Sequence, residues 1–114
     1  MALNIKTGVD IVQISKFKLS LNNPEFLRNV FTDNELADRK EEHLAGIFAA
    51  KEAFFKAASF KLEKWKDIEI TSENKKPKIN FVDSILKEKI DTIDCSITHD
   101  GDYAVSFVVI VFKN

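Results

Sequence analysis

Charged side chains inside two apolar segments are the first candidates for chemistry in this sequence. Lys51 and Glu52 interrupt "AGIFAAKEAFFKAAS" (residues 45–59), the most apolar helical stretch of the chain. Asp10 lies within "TGVDIVQI", which has the residue types of a strand, where aspartate is disfavoured. A carboxylate on an apolar face must be paired or metal-bound, because burying it alone costs too much free energy.

The helix that carries Glu52 has two different faces. One stripe is small apart from two charged members and consists of Ala45, Ala49, Glu52, Lys56 and Ser59. The second is an ordinary core face made of Leu44, Phe48, Phe55, Ala58 and Leu62. Small side chains let a ligand or another backbone approach the first stripe closely. The alternative is that Glu52 and Lys56 form only an i,i+4 ion pair on a solvated edge, worth about 0.2–0.5 kcal/mol.

Asp10 and Glu52 together predict a site for a hard cation. Asp10 shares its strand face with Gly8, Val12 and Ile14, so it points toward the core. Mg²⁺ takes one or two protein carboxylates and fills its remaining positions with water and substrate phosphate oxygens. A site with few protein ligands fits this chemistry.

Three cationic or hydrogen-bonding side chains, Lys51, Lys56 and His99, are candidate partners of a polyphosphate. A lone histidine beside a turn is also typical of a surface or hydrogen-bonded structural residue, so that alternative stays open for His99. The sequence has no Walker-type loop, Ser-His-Asp arrangement or paired-cysteine zinc pattern.

The elements that must position these residues follow from hydrophobic periodicity and turn signals. The predicted order begins with a strand around residues 4–13 and short helices in "SKFKLSL" and "PEFLRNV", the second capped by Asn23. A helix through "ELADRKEE" follows, begun by the capping box Thr32–Glu35, and then a longer helix from about His43 to Leu62. The rest is a "DIEIT"/"KINFV" hairpin, a short helix "DSILKEKI" capped at Asp83 or Ser84, and an "IDCSITH"/"YAVSFVVIVF" hairpin that turns at "DGD". The last strand is apolar on both faces, which predicts helices on one side and another subunit on the other. The class is α+β, with a mostly antiparallel sheet against a long central helix and shorter helices.

Length and composition predict a single soluble domain over residues 1–114. Hydrophobic residues make up 45% and charged residues 31% of the chain, with a net charge of −1. These totals do not indicate a nucleic-acid or membrane-surface protein. The N-terminus lacks the features of a secretion signal, and the single Cys95 predicts a buried thiol in a reducing cytoplasm. Ten phenylalanines predict a core or subunit interface filled by rings.

Six segments in order resemble holo-acyl-carrier-protein synthases, the small class of 4′-phosphopantetheinyl transferases. They are "GVDIVQI", "FTDNEL", "LAGIFAAKEAFFKA", "WKDIEI", "SENKKPKI" and "CSITHDGDYAVSFVV", and they cover nearly the whole chain. The most diagnostic are the Gly-x-Asp-Ile strand and the Lys-Glu-Ala-x-x-Lys helix, followed by Ser-Ile-x-His. The resemblance implies the 4′-phosphopantetheinyl transferase fold.

The resemblance also implies an activity and its groups. The family transfers the phosphopantetheine arm of coenzyme A to a serine of acyl carrier protein with Mg²⁺, releasing adenosine 3′,5′-bisphosphate. It implies that Asp10 and Glu52 bind the metal and that Lys51 and Lys56 lie near the phosphates. Glu52 is then a candidate proton acceptor and Lys56 a candidate to neutralise the leaving phosphate oxygen. Asn74, Pro77 and His99 would line the nucleotide end of the pocket.

The resemblance extends to partners. Family members are trimers with active sites at subunit boundaries, and they meet acidic carrier proteins with basic residues after the first strand. Lys16 falls at that position, and Lys18 and Arg28 are candidates to extend the patch. Four differences from the family pattern favour a second hypothesis, a relative that binds acyl carrier protein or a nucleotide without transfer. A third hypothesis is a structural domain with ordinary salt bridges.

The first difference is Ile47, where the family usually has arginine. The second is "SFKLEKW", which replaces a glycine-rich turn after the helix. The third is that the usual Asn-Gly-Lys-Pro reads Asn-Lys-Lys-Pro at residues 74–77. The fourth is that Asp100 follows His99, where a hydroxyl residue is frequent. Lys61, Lys75 and Lys76 are the candidates to compensate for the lost arginine.

Overall fold

The computed structural model describes residues 2–58, 64–82 and 84–114, and these form an α+β fold. The strands and helices follow in the order β1 (Asn4–Gln13), α1 (Ile14–Ser20), α2 (Pro24–Val30), α3 (Glu41–Ala58), β2 (Ile68–Glu73), β3 (Lys76–Phe81), α4 (Ser84–Lys89), β4 (Ile90–Asp100) and β5 (Tyr103–Phe112). Short 3₁₀ turns cover Glu35–Ala37 and Trp65–Asp67. The predicted α+β class is confirmed.

The strands form two antiparallel sheets. β1, β5 and β4 make a three-stranded sheet in that order, and β2 pairs with β3 in a separate hairpin. In the larger sheet Asp10 lies opposite Ser106 and Val9 lies opposite Phe107. Because side chains alternate along a strand, Asp10 points to the helix side of the sheet and Val9 to the outer side.

Alanines along α3 let the sheet pack closely against this helix. Ala45, Ala49, Ala53 and Ala57 recur every fourth residue and are fully buried. At Gly8 the backbone of β1 lies against α3, so that an added Cβ atom would overlap the carbonyl oxygen of Ala53. Of the two predicted uses for a small-residue face, close approach of another backbone therefore applies at this crossing.

The phenylalanine excess fills the space between α1, α2 and α3. Rings at Phe17, Phe26 and Phe48 have centroids within 6.1 Å of one another, in edge-to-face and tilted pairs. Trp65 extends the cluster, with its ring 5.3 Å from Phe48 and 4.7 Å from Phe55. Phe17 belongs to the buried core, and the other rings of the cluster pack against that core, so the interior alternative of the phenylalanine prediction applies to them.

The helix predicted through "ELADRKEE" is wrong. The capping box forms, because Glu35 N donates to Thr32 Oγ1 and Thr32 N donates to Glu35 Oε1, but only the 3₁₀ turn Glu35–Ala37 follows. The carboxylate of Glu35 is buried beside Lys51 instead, and helix α3 begins at Glu41, close to the predicted start at about His43. The predicted end at Leu62, the position of Ser59 and the Asp83 cap lie outside the described residues.

The outer face of the larger sheet is apolar and exposed. Ile5, Val9 and Ile11 of β1 are each at least 50% exposed there, beside Phe107 of β5. The two-faced apolar character predicted for β5 is thus present, with α3 covering one face. Within the part of the chain that the structure describes, no helix has the length and apolarity needed to cross a membrane.

Candidate active site

Asp10 and Glu52 line one cleft of about 420 Å³, between β1, α1 and α3. β1 presents Asp10 toward α3, and Gly8 makes this possible because strand and helix touch there through backbone atoms. Lys56 Nζ donates to Asp10 Oδ1 and to the carbonyl oxygen of Val9, each at 3.0 Å. Three predicted site residues, Asp10, Lys16 and Glu52, therefore line the cleft, and Lys56 is joined to them through Asp10.

Glu52 is the unpaired member of this group. Within the described residues its side chain makes no hydrogen bond or ion pair, although it is half-buried. Burial raises the pKa of the Glu52 carboxyl, the negative charge of Asp10 raises it further, and Lys56 opposes the rise. The i,i+4 pair between Glu52 and Lys56 is absent as a direct contact, because Lys56 turns to Asp10 instead.

The donor set of this cleft suits a hard divalent cation. Two carboxylates share the cleft, and Glu52 retains oxygens without protein partners in the described part of the chain. Groups of three or more histidine, cysteine or acidic side chains are absent among the residues the structure describes. A cation held by two carboxylates, with open positions for phosphate oxygens, is the chemistry of Mg²⁺.

Lys51 does not lie where the sequence suggested. Its side chain is fully buried, and Nζ contacts Glu35 Oε1 at 2.8 Å, the Val30 carbonyl at 2.7 Å and the Trp65 carbonyl at 3.2 Å. Burial lowers the pKa of the Lys51 ammonium, and the Glu35 carboxylate opposes that shift. An enclosed ammonium with three partners has no free face for a phosphate, so the prediction that Lys51 binds phosphates is wrong.

A second cavity of about 400 Å³ lies between α3, β4 and the β2–β3 hairpin. Its walls are mostly apolar and its rim carries cationic or hydrogen-bonding groups. Its lining includes Glu35, His43, Ile47, Ile70, Lys75, Pro77 and His99. Such a space accommodates a flat ring between apolar walls, with polar groups at its edge.

His99 and Pro77 line this cavity, whereas Asn74 does not. His99 Nε2 lies 2.9 Å from the Glu42 carbonyl, and the ring rests on Gly46, where an added Cβ would be 3.1 Å from Nε2. His99 is thus both a hydrogen-bonded residue and a cavity residue. Asn74 forms the hairpin turn with Lys75, at φ of 53° and 65°, which asparagine tolerates better than lysine.

The candidates to replace the family arginine differ in position. Ile47 forms an apolar wall of the cavity and Lys75 lies at its rim. Lys76 is exposed on β3 and does not line the cavity, and Lys61 lies outside the described residues. His43, one helical turn before Ile47, also lines the cavity, and the sequence reasoning missed it because a lone histidine gave no periodic signal.

Of the three predicted partner-binding residues, Lys16 lies in the Asp10 cleft, whereas Lys18 and Arg28 do not line it. Lys16 lines the cleft, Lys18 pairs with Glu41 at 3.4 Å, and Arg28 is exposed in the last turn of α2.

The turn between β4 and β5 holds the start of α1: Asp102 accepts from Ser15 N at 3.0 Å and from Ser15 Oγ at 2.6 Å. These hydrogen bonds lower the pKa of the Asp102 carboxyl.

The two cavities share no lining residue. One contains the carboxylates and Lys16, and the other contains His99 and Pro77. The single cysteine, Cys95, lines neither cavity. It is buried, as predicted, and burial raises the pKa of its thiol.

Three comparisons agree on the kind of protein this chain resembles. The family model of the 4′-phosphopantetheinyl transferase superfamily matches residues 6–108. A holo-[acyl-carrier-protein] synthase of Finegoldia magna is 30% identical over 117 residues, covering 98% of this chain and 100% of that protein. The Helicobacter pylori holo-[acyl-carrier-protein] synthase in complex with coenzyme A has a TM-score of 0.81 at 29% identity, covering 91% of this chain and 98% of that chain.

Proposed function

The chain belongs to the 4′-phosphopantetheinyl transferase superfamily, and on that premise we propose how residues 1–114, acting as one domain, carry out its transfer reaction. The activity is that of a holo-[acyl-carrier-protein] synthase: 4′-phosphopantetheine passes from coenzyme A to a serine of apo-acyl carrier protein. The observation that carries the assignment of residues is the shared cleft of Asp10 and Glu52, in which Glu52 is half-buried without a partner among the described residues.

We propose that Asp10 and Glu52 hold Mg²⁺. The closeness of two carboxylates supports this, because the charge of Asp10 raises the pKa of Glu52 and a cation between them would relieve that repulsion. When bound, the metal polarises the attacked phosphorus and stabilises the leaving bisphosphate. Asp10 and Glu52 direct their carboxylates into the same cleft and so orient the pyrophosphate there.

The remaining proton and charge transfers are assigned to Glu52 and Lys56. The serine hydroxyl oxygen forms a bond to the phosphorus of phosphopantetheine while the bond to adenosine 3′,5′-bisphosphate breaks. Glu52, directly or through a water, accepts the serine proton, since it lines the cleft and has no protein partner among the described residues. Lys56 is more than half exposed and within 3.0 Å of Asp10, a position from which it can neutralise the departing phosphate oxygen.

The nucleotide end of coenzyme A is assigned to the cavity between α3, β4 and the hairpin. Its apolar walls suit a purine, and His99, Lys75 and Pro77 line it. Asn74 contributes through the hairpin turn, which sets the position of Lys75. Pro77 and His99 would therefore contact the nucleotide end directly, whereas Asn74 would act by shaping the backbone of the hairpin turn.

We propose a homotrimer whose sites lie between subunits. A single copy of coenzyme A has to reach both the Asp10 cleft and a nucleotide cavity, and no residue lines both of them within one chain. The exposed apolar face of β1 and β5 supplies a surface for a second copy, since Val9, Ile11 and Phe107 lie together there. We propose that the nucleotide cavity of one subunit completes the Asp10 cleft of its neighbour.

Acyl carrier protein is proposed to dock around Lys16. This residue opens onto the Asp10 cleft, so an acidic partner bound there would present its serine to Glu52. Lys18 and Arg28 extend the positive surface on neighbouring helices. Asp102 holds the first turn of α1 and so fixes the direction of Lys16.

Transfer is measured directly by mass. Apo-acyl carrier protein incubated with the protein, coenzyme A and Mg²⁺ should gain the mass of the phosphopantetheine arm and release adenosine 3′,5′-bisphosphate. Complex formation without that gain would contradict transfer and support the alternative, a non-catalytic relative that binds acyl carrier protein or a nucleotide. Neither gain nor binding would leave the charges as structural salt bridges.

The reaction is proposed to take place in the cytoplasm. A free, buried Cys95 is compatible with a reducing compartment, where unpaired thiols persist. Cell fractionation followed by immunodetection checks this location, and recovery in an exported fraction would contradict it.

A further inference from the structure

A buried ion pair beside the nucleotide cavity joins the turn that contains Glu35 to helix α3. Glu35 is 2% exposed and Lys51 is fully buried, with 2.8 Å between Glu35 Oε1 and Lys51 Nζ. Glu35 Oε1 also accepts from Thr32 N at 2.9 Å, and Oε2 accepts from Ile70 N at 2.7 Å. One carboxylate therefore ties together a turn, helix α3 and strand β2.

Lys51 ties two further segments to the same point. Its ammonium donates to the carbonyl of Val30 at the end of α2 and to the carbonyl of Trp65 before β2. The same turn is attached to β2 a second time, because Thr32 Oγ1 donates to Glu69 Oε2 at 2.5 Å. We call the Glu35–Lys51 pair with its Ile70 contact the hairpin latch.

The hairpin latch lies against the nucleotide cavity. Glu35 and Ile70 line that cavity, and β2 continues into the turn that carries Lys75, which leads to Pro77 on β3. The opposite wall comes from α3 through His43 and Ile47. The width of the cavity is therefore the distance between α3 and the hairpin, which the latch spans.

We propose that Glu35 is a positioning residue that holds the β2–β3 hairpin at the distance from α3 that nucleotide binding requires. The proposal rests on the proposed function, because it assigns the nucleotide end of coenzyme A to this cavity. Glu35 touches no reacting atom and acts through the backbone of Ile70. Its loss is expected to weaken nucleotide binding more than it weakens the fold.

Stability alone is a poor reason for such a pair. Burying two charges costs desolvation that their attraction often only balances, and apolar replacements are frequently as stable. The hairpin is also held by apolar contacts, including the rings of Phe54 and Phe81 at 5.9 Å and the buried side chains of Ile68 and Ile79. These contacts would keep the hairpin folded, while the latch sets where its free end lies.

Glu35→Gln and Lys51→Met test the latch by different routes. The side-chain amide of the first variant offers one acceptor oxygen where three donors converge, so either Ile70 N or the Thr32–Lys51 side must lose its partner. Lys51→Met removes the link to α3 but leaves Glu35 able to accept from Thr32 N and Ile70 N. The double variant Glu35→Gln/Lys51→Met shows whether the pair acts as a unit.

The measurements are calorimetric affinity for adenosine 3′,5′-bisphosphate, hydrogen exchange at the Ile70 amide, and melting temperature. Each single variant should weaken bisphosphate binding about tenfold or more and speed exchange of the Ile70 amide. The double variant should bind the bisphosphate no more weakly than whichever single variant has the lower affinity. Val108→Ala, in the larger sheet away from the hairpin, is the control for a general loss of stability. It should leave affinity within about twofold at a comparable drop in melting temperature.

Unchanged affinity in folded Lys51→Met and Glu35→Gln would overturn the proposal, and so would an equal loss in Val108→Ala. If Glu35→Gln does not fold, Lys51→Met decides by the same comparison. A wild type that transfers phosphopantetheine but does not bind the bisphosphate would overturn the positioning role and leave the proposed function standing. A wild type that binds the bisphosphate but transfers nothing would contradict the function alone.

Discussion

Gly8 and Ala53 meet through their backbones, with no side chain between strand β1 and helix α3. An added Cβ at Gly8 would overlap the Ala53 carbonyl oxygen and lie 2.8 Å from Ala57 N. This contact brings Asp10, two residues along the strand, and Glu52, the helix neighbour of Ala53, into one cleft. The glycine of the Gly-x-Asp-Ile segment is required because the two elements must touch.

Gly8→Ala should therefore lower both stability and transfer. A methyl group cannot fit against backbone atoms, so the strand or helix must move, at a cost of about 1–3 kcal/mol or more in the free energy of unfolding. Urea unfolding measures this cost, and the mass assay measures transfer. Gly101→Ala is the matched control, because no atom lies within 4 Å of the added Cβ and only the turn φ of +56° is strained. A Gly8→Ala protein as stable and active as wild type would contradict the close crossing.

Asp10→Asn should abolish Mg²⁺-dependent transfer while leaving the fold intact. The amide keeps the shape of the side chain but removes a metal-binding charge, and a loss of about 100-fold or more in kcat is expected. The mass assay over a Mg²⁺ titration, with circular dichroism for folding, checks this. Asp91→Asn, an exposed carboxylate on β4 outside the Asp10 cleft, is the control and should retain activity. Near-normal transfer by Asp10→Asn would refute the metal assignment.

Glu52→Gln should stabilise the metal-free protein at neutral pH. The folded-state pKa of Glu52 is raised by burial and by Asp10, so the folded protein binds this proton more tightly than the unfolded chain does. That contribution is fully present below the unfolded pKa and is lost as pH rises through the folded pKa. Glutamine cannot ionise, so the stability gain should appear above the folded pKa and shrink as the solution is acidified.

Melting temperatures across pH, in chelator, give this difference. In Mg²⁺ the wild type should gain melting temperature and Glu52→Gln should not, because a ligand of the metal has been removed. A wild-type advantage at neutral pH without metal would show that Glu52 is not strained by its surroundings, against the proposed repulsion within the cleft.

Lys16→Glu should weaken the binding of acyl carrier protein much more than the binding of coenzyme A. Reversing a charge at a docking surface is expected to raise KM for an acidic carrier about tenfold at low salt, and less at high salt as screening increases. Steady-state kinetics with each substrate varied in turn separates the two KM values. Lys113→Glu, an exposed lysine beyond β5, should change neither. Equal increases in both KM values would defeat the docking assignment.

Phe107→Glu should prevent assembly of the proposed homotrimer. The ring is 45% exposed on the outer sheet face beside Val9, and a carboxylate there would have to be buried without a partner if a second copy covered it. Light scattering should report a folded monomer, and transfer should fall because each site needs two subunits. Val82→Glu, exposed on another surface, should leave the mass unchanged. A monomeric wild type with full activity would rule out shared sites.

Much of the fold was predictable because its signals are local. Alternating apolar residues marked β1, Asn23 before Pro24 marked the start of α2, and "DGD" marked the β4–β5 turn. The capping box at Thr32–Glu35 formed its predicted hydrogen bonds, yet the helix did not continue. Long-range contacts end the helix there, because the Glu35 side chain turns inward to Lys51 and Ile70. No short window of sequence contains all three residues.

The two adjacent charges of α3 show the limit most clearly. Their positions in the sequence identified both as anomalies in an apolar helix, and local reasoning assigned both to one site. Packing separated them, because successive helix residues point about 100° apart and meet different neighbours. Lys51 faces α2 and the hairpin, where Glu35 neutralises it, whereas Glu52 faces the cleft of Asp10. The order of amino acids was enough to show which groups needed partners. It could not name those partners, because burial and charge pairing depend on distances between segments that are far apart in the chain and meet only in the folded protein.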